Sequence, residues 1–302
     1  MIRFIARRLL FISLVLIFII FAAQLGMRMI SNSERSEPDF DMVPQIKLAW
    51  RDTRAYLKYA SAGELGTART EYGFVPIAEL LKESYVNSMG LLLTALAGAT
   101  LIGLYLGSSA ALSKRQRWAM PLLTMTILGI ATPSFFLALL LRQGEIYYVR
   151  IFGHQLVKIA GFGWDYKYML LPVLVLAARP IAYLTRTTFL SLRRIMEEDY
   201  IRTAYSKGLD KMSVVNIHAV RNVAVPLLTA IGVSLRFSLG ILPIVEFFFV
   251  WPGMGLRLLQ AINMRQTAIV VTLAAALGLT FLLVNLMLEI IYRFVDPRLR
   301  EL

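Results

Sequence analysis

No cysteine occurs in the 302 residues, so disulfides and thiolate chemistry are excluded. Only two histidines are present, His154 and His218, which argues against a histidine-rich metal site. None of the eight lysines is followed by serine or threonine, so there is no G-x-x-x-x-G-K-S/T nucleotide loop. H-E-x-x-H and G-x-S-x-G are also absent, and no pattern sets a nucleophile beside its base. Acidic residues are few: 19 Asp and Glu stand against 32 Lys and Arg. Such a surplus can signal nucleic acid. A chain that is 58% hydrophobic points elsewhere, because membrane proteins collect basic residues in their cytoplasmic loops. No nucleic-acid partner is expected.

What is abundant is long apolar runs. A spanning helix needs about 20 mainly apolar residues. Four uncharged runs meet or approach that: Leu9–Met27, Tyr85–Ser113, Trp118–Leu141 and Thr267–Leu288. Two more are interrupted, Tyr168–Leu192 by Arg179 and Arg186, and Asn222–Val245 by Arg236. The reading is an all-α membrane protein of six transmembrane helices. Its expected organisation is an N-terminal span over 1–27, an extracytoplasmic loop over 28–84, a five-helix core over 85–292 and a tail over 293–302.

Arg3, Arg7 and Arg8 before the first run, and "FAAQ" after it, also fit a cleaved signal peptide. Parity favours a retained span. With six spans both termini lie on one side, and that side's segments carry 15 Lys and Arg in 56 residues. The short loops opposite carry 6 in 48, so both termini are expected in the cytoplasm. Segment 28–84 is balanced, with eight basic and nine acidic residues, and long loops cross regardless of charge. Within it, "MVPQIKLAWRDTRAYLKYA" fits a short amphipathic helix lying on the membrane surface or on a partner.

The stretch "EEDYIRTAYSKGLDKMSVVNIHAVRNVAVPLL", residues 197–228, is polar and basic between two spans. Tyr200, Ile201 and Ala204 give helical spacing, and Gly208 suits a left-handed helix stop. A second helical pattern begins near Met212 and leads into the next span. Helix, glycine turn and helix over 191–222 suit docking into a groove on another protein; a solvated basic loop with ordinary caps is the alternative.

"DYIRTAYSKGL…HAVRNVAVPLLT" resembles the cytoplasmic signature loop of bacterial ABC-importer permeases of the dipeptide/oligopeptide/nickel group, D-Y-I-R-T-A-x-A-K-G-L followed by H-A-L-R-N-A-x-x-P. The wider importer pattern E-A-A-x-x-x-G falls on Arg202, Thr203, Ala204 and Gly208, and Ser206 replaces the group's commoner Ala. "ATPSFFLALLL", "EFFFVWPGMGLRLLQAINMRQ" and the ending "LLVNLMLEIIYRFVDPRLR" resemble further segments of the same group. Residues 28–84 and 142–166 match it poorly.

The resemblance implies a type I importer permease fold in a bacterial or archaeal cytoplasmic (inner) membrane. It implies a second homologous permease, two ABC ATPase subunits that bind ATP and Mg, and an extracytoplasmic substrate-binding protein, with no cofactor and no catalysis on this chain. Asp199, Tyr200, Arg202, Thr203, Ala204, Lys207, Gly208 and Leu209 would then form the ATPase-coupling loop, with Ala204 small for close approach. The implied cargo is a di- or oligopeptide, with nickel chelate, metallophore or sugar as alternatives in the same class. A secondary transporter and a non-transporting scaffold are the alternatives outside it.

Charges within spans are costly, roughly 2.5–3.5 kcal/mol on insertion scales. Arg179 and Arg236 are therefore candidates to line the pathway or to serve as structural partners, while Arg186 is placed near a membrane face. Gly103 and Gly107 form G-x-x-x-G, a pattern for close helix packing. Pro133, Pro180, Pro226 and Pro243 are expected to kink or end helices, and Tyr147, Tyr148 and Trp164 to sit at the membrane interface.

Overall fold

The computed structural model describes residues 2–33, 42–70, 73–113 and 116–295. Among these described residues, five helices are long and apolar enough to cross a membrane, and a bent helix pair makes a sixth if it counts as one span. The chain divides into two compact units, Met1–Ser88 with Pro252–Met287, and Met89–Trp251 with Leu288–Leu302.

The first unit begins with helix α1 (Ile2–Ser33), which runs past the expected boundary at residue 27. Helix α2 (Met42–Ser61) is the amphipathic segment anticipated between the first two spans. It packs along α1 and buries Ala49 and Thr53. Trp50 meets Phe21 edge-on at 6.1 Å, and Arg28 pairs with Asp52. A two-stranded antiparallel hairpin follows, β1 (Thr67–Thr70) and β2 (Gly73–Pro76), with Thr67 opposite Pro76. It leads directly into α3 (Ile77–Leu112), so the helix starts well before Tyr85. Helices α10 (Met254–Asn263) and α11 (Thr267–Val295, to Met287) complete the unit. Tyr56 of α2 donates to Thr272 Oγ1 of α11 at 3.2 Å. Gly278 lets α1 come close, since a Cβ there would lie 2.4 Å from Ile19.

The second unit holds the rest of α3, then α4 (Gln116–Ala131) and α5 (Ser134–Phe152). The span expected over Trp118–Leu141 is not one straight helix: α4 and α5 meet at 106°. Pro133 has no N–H and disfavours helical backbone at Thr132, so the hydrogen-bond ladder stops there. Helix α5 then continues to Phe152, taking up the first part of what read as a loop from residue 142.

Helix α6 (Tyr166–Met196) starts at Asp165, whose carboxylate accepts from the N–H groups of Lys167 and Tyr168. Helix α9 (Val220–Phe249) packs on α6 more extensively than any other helix pair among the described residues. Ser238 donates to the Leu176 carbonyl across that contact. In lipid, such contacts draw on close packing rather than water release. That explains Gly103 and Gly107. A Cβ at Gly103 would lie 2.6 Å from the Leu184 Cβ, and one at Gly107 would lie 2.6 Å from the Thr185 carbonyl. Pro180, Pro226 and Pro243 sit inside α6 and α9 without ending them, unlike Pro133.

At one end of this unit, Glu145 is buried and accepts from the N–H groups of Leu156 and Val157, which fixes the segment after α5. The Trp164 ring lies on Gly90 and meets Trp251 and Phe162 edge-on. Trp164 is thus part of a three-ring cluster around the fully buried Trp251. Val250, which ends α9, has φ +53°, a strained value for a β-branched residue.

Candidate functional site

The polar stretch between α6 and α9 forms a compact unit at one end of the helix bundle. Helix α6 ends at Met196, and the short helix α7 (Asp199–Ser206) follows at once. Helix α7 is steeply two-sided. Ile201 and Ala204 turn inward, to 0% and 4% exposure. There they join Leu192, Val214, Ala219 and Val223, bordered by Leu112, Ile195 and Leu227. Asp199, Tyr200, Arg202, Thr203, Lys207, Gly208 and Leu209 are all exposed. The eight residues expected in the loop therefore divide into one inward and seven outward. Ala204 thus packs within the chain itself.

The turn after α7 is a Schellman motif. Gly208 has φ +81°, its N–H reaches the Tyr205 carbonyl at 2.9 Å, and the Leu209 N–H reaches the Ala204 carbonyl at 3.4 Å. Nothing lies within 4 Å of a Cβ built on Gly208, so backbone conformation alone requires glycine there. Asp210 then caps α8 (Lys211–Ser213), accepting from the N–H groups of Met212 and Ser213 and from the Ser213 hydroxyl. The Ser213 hydroxyl, aided by its N–H, holds the Asp210 carboxyl below its ordinary value.

Two bonds fasten this unit to the spans. Lys211 Nζ donates to the Leu112 carbonyl at 2.6 Å, satisfying an orphan acceptor at the end of α3. Asn222 Nδ2 donates to the Tyr200 hydroxyl at 2.8 Å, tying α7 to the start of α9. Sequence reasoning missed both ties, since contacts 99 and 22 residues apart leave no local pattern. It also missed the π-helical turn over Val214–Ala219, which joins α8 to α9. A short helical pattern reads alike in either helix type, so the sequence does not distinguish them.

The arginines within the spans lie apart from the loop. Arg179 on α6 places its guanidinium 3.8 Å from the ring centre of Phe237 on α9. Arg236, also on α9, faces Tyr292 at 6.0 Å, and its Nε is buried without a hydrogen-bond partner among the described residues. Tyr292 in turn donates to the Thr229 carbonyl and occupies the space left by Gly232. Arg186 is exposed. The Asp296–Arg298 ending lies outside the described residues.

A polar helix–turn–helix element fixed to a bundle of long apolar helices defines a multi-pass membrane protein. Residues 99–301 match the family model for the binding-protein-dependent transport system inner membrane component. The chain is 31% identical to the glutathione transport system permease protein GsiC of Salmonella paratyphi A over 253 residues, covering 83% of this chain and 78% of that protein. It is 31% identical to GsiC of Salmonella typhimurium and 30% identical to GsiC of Escherichia coli K12, each over 247 residues, 81% of this chain and 78% of the relative. The chain belongs to the family of binding-protein-dependent transport inner-membrane components. It is a multi-pass permease component of a bacterial ABC importer, in which separate ATPase subunits hydrolyse ATP and a substrate-binding protein supplies the cargo.

Proposed function

We propose that this chain forms half of an inward translocation pathway for peptides, paired with a second homologous permease. Both termini face the cytoplasm, in line with the excess of basic residues on that side. Two ATPase subunits, carrying ATP and Mg, take up α7 in a surface cleft. The observation that carries this reading is the outward side of α7 and of the turn that follows it, where Arg202, Tyr205, Lys207, Leu209 and Met212 are all exposed. Aromatic and apolar groups flanked by cations suit a cleft with an apolar floor and acidic rim.

Closure of the ATPase pair would push α7. Ile201 and Ala204, seated among residues of α6 and α9, would pass the push on as displacement of those spans. A peptide cargo agrees with GsiC, whose name records glutathione. Arg236 is the stronger candidate to meet a cargo carboxylate, because its Nε is unbonded, whereas Arg179 already stacks on Phe237.

The test is co-purification of the tagged chain in mild detergent, with Gly208→Asp in parallel. Recovery of a second permease and ATPase subunits, with the ATPases lost in the variant, is expected. A chain that purifies alone, with the variant indistinguishable, would overturn the docking and favour a secondary transporter or scaffold. For cargo, Arg236→Gln is expected to lower peptide uptake while ATPase co-purification is unchanged. Normal uptake in both Arg236→Gln and Arg179→Gln, at normal protein level, would remove the arginines from the pathway. Nickel chelate or sugar bound by the co-purified binding protein would replace the peptide.

A further inference from the structure

Helix α2 carries a surface that the importer reading does not use. Lys47, Arg51, Arg54 and Lys58 recur at i, i+4, i+7 and i+11, a spacing that aligns them along one face, and all four are exposed. The helix has one acidic residue, Asp52, and that is engaged by Arg28 and Arg51. The stripe is therefore a row of like charge with a net surplus of cations.

Beside it runs a second stripe, Met42, Ile46 and Trp50, apolar and each more than 40% exposed. On a helical projection Ile46 and Trp50 lie between the buried side, Ala49 and Thr53, and the basic row, with Met42 in line with the buried side at the helix start. The order across the helix is thus buried, apolar, basic.

Two ring contacts and one ion pair tie this surface to α1. Trp50 meets Phe21, which lies inside the apolar span Phe4–Ser31. The Arg54 guanidinium lies 5.2 Å over the Trp50 ring. The Arg28–Asp52 pair ties the same helix to the C-terminal end of the span, where acyl chains give way to headgroups and where tryptophan and arginine side chains are at home. A basic row at that level faces phosphate.

We propose that α2 is an interfacial helix whose basic row binds anionic phospholipid headgroups in the leaflet at the C-terminal end of α1. Met42, Ile46 and Trp50 dip toward the acyl chains, and Lys47, Arg51, Arg54 and Lys58 meet the headgroup phosphates. The assignment is independent of what the importer carries and of which side the termini face.

The experiment titrates the purified full chain in neutral detergent with phosphatidylglycerol and, separately, with phosphatidylcholine. The wild-type chain is expected to prefer phosphatidylglycerol, and high salt to remove the preference. Combined Lys47→Gln, Arg51→Gln, Arg54→Gln and Lys58→Gln is expected to weaken phosphatidylglycerol binding by about tenfold or more, leaving phosphatidylcholine unchanged. Glutamine keeps helix propensity, and an unchanged melting temperature in neutral detergent would confirm an intact fold. If that variant does not fold, the salt series on the wild-type chain decides alone. Equal binding of the two lipids by the wild-type chain would overturn the proposal. So would a folded variant that keeps its preference, or one that loses only its hold on the substrate-binding protein.

Discussion

Single residues set the chain's tightest turns, and two of them can be tested through backbone physics alone. Gly208 has open space around it and a left-handed φ, so Gly208→Ala adds conformational strain and no clash. A left-handed alanine costs about 1–2 kcal/mol. The expected result is faster amide exchange at Gly208 and Leu209 in the purified chain, with the spans unaffected. Unchanged exchange would show that the turn does not depend on glycine. Val250 is the converse case, a β-branched residue already at φ +53°. Val250→Asn is expected to raise stability by about 1 kcal/mol, because asparagine tolerates this region. A lower melting temperature would mean that the half-exposed valine side chain matters more than its backbone strain. Asp210 gives a pH dependence. Its folded-state value is lowered by Ser213, so its contribution is present above the unfolded value and is lost as pH falls through the folded one. Amide exchange at Met212 and Ser213 should therefore accelerate only in acid, below the ordinary carboxylate range. Asp210→Asn should abolish that dependence.

At the level of elements, what was legible in the sequence follows from the range of the forces involved. The apolar runs, the short helix before Gly208 and the glycine stop are local patterns, and the structure has each of them. The helix over 42–61 was also anticipated from its two-sided pattern. Its Trp50–Phe21 contact was not, because that depends on how α1 and α2 meet. The break at Pro133 shows the limit of counting apolar residues. The run over 118–141 is long enough for one span, yet one missing N–H divides it into helices at 106°. Three other prolines stay within continuous helices, so residue type alone does not distinguish the cases. The G-x-x-x-G of α3 was correctly read as a packing site, and it carries its own control. Gly107→Ala would press a methyl against the Thr185 carbonyl and Thr188, whereas Gly98 on the same helix has nothing within 4 Å. Gly107→Ala should lower stability by about 1–3 kcal/mol. Gly98→Ala should leave it unchanged or slightly raised. Equal melting temperatures for the two variants would remove the α3–α6 contact from the account of stability.

For the whole molecule, the proposed coupling requires α7 to do two separable things: hold an ATPase with its outer face and move the spans with its inner face. On that proposal they fall to different residues, exposed ones and buried ones, so they can be dissociated. Arg202→Glu with Lys207→Glu reverses two exposed charges and leaves the buried cluster intact. The expected outcome is loss of ATPase subunits on co-purification, with an unchanged melting temperature for the permease. Ile201→Ala does the reverse. It empties a fully buried position between α6 and α9 and should cost about 2–5 kcal/mol of packing, while Tyr205, Lys207 and Leu209 stay as they are. In the reconstituted importer this variant should keep its ATPase subunits and go on hydrolysing ATP, yet transport less cargo per ATP. A loose α7 would absorb the push instead of passing it to the spans. The same ratio of transport to hydrolysis in Ile201→Ala and wild type, with both fully assembled, would show that force reaches the spans by a route other than the buried face of α7. The Lys211–Leu112 and Asn222–Tyr200 ties would then be the next candidates.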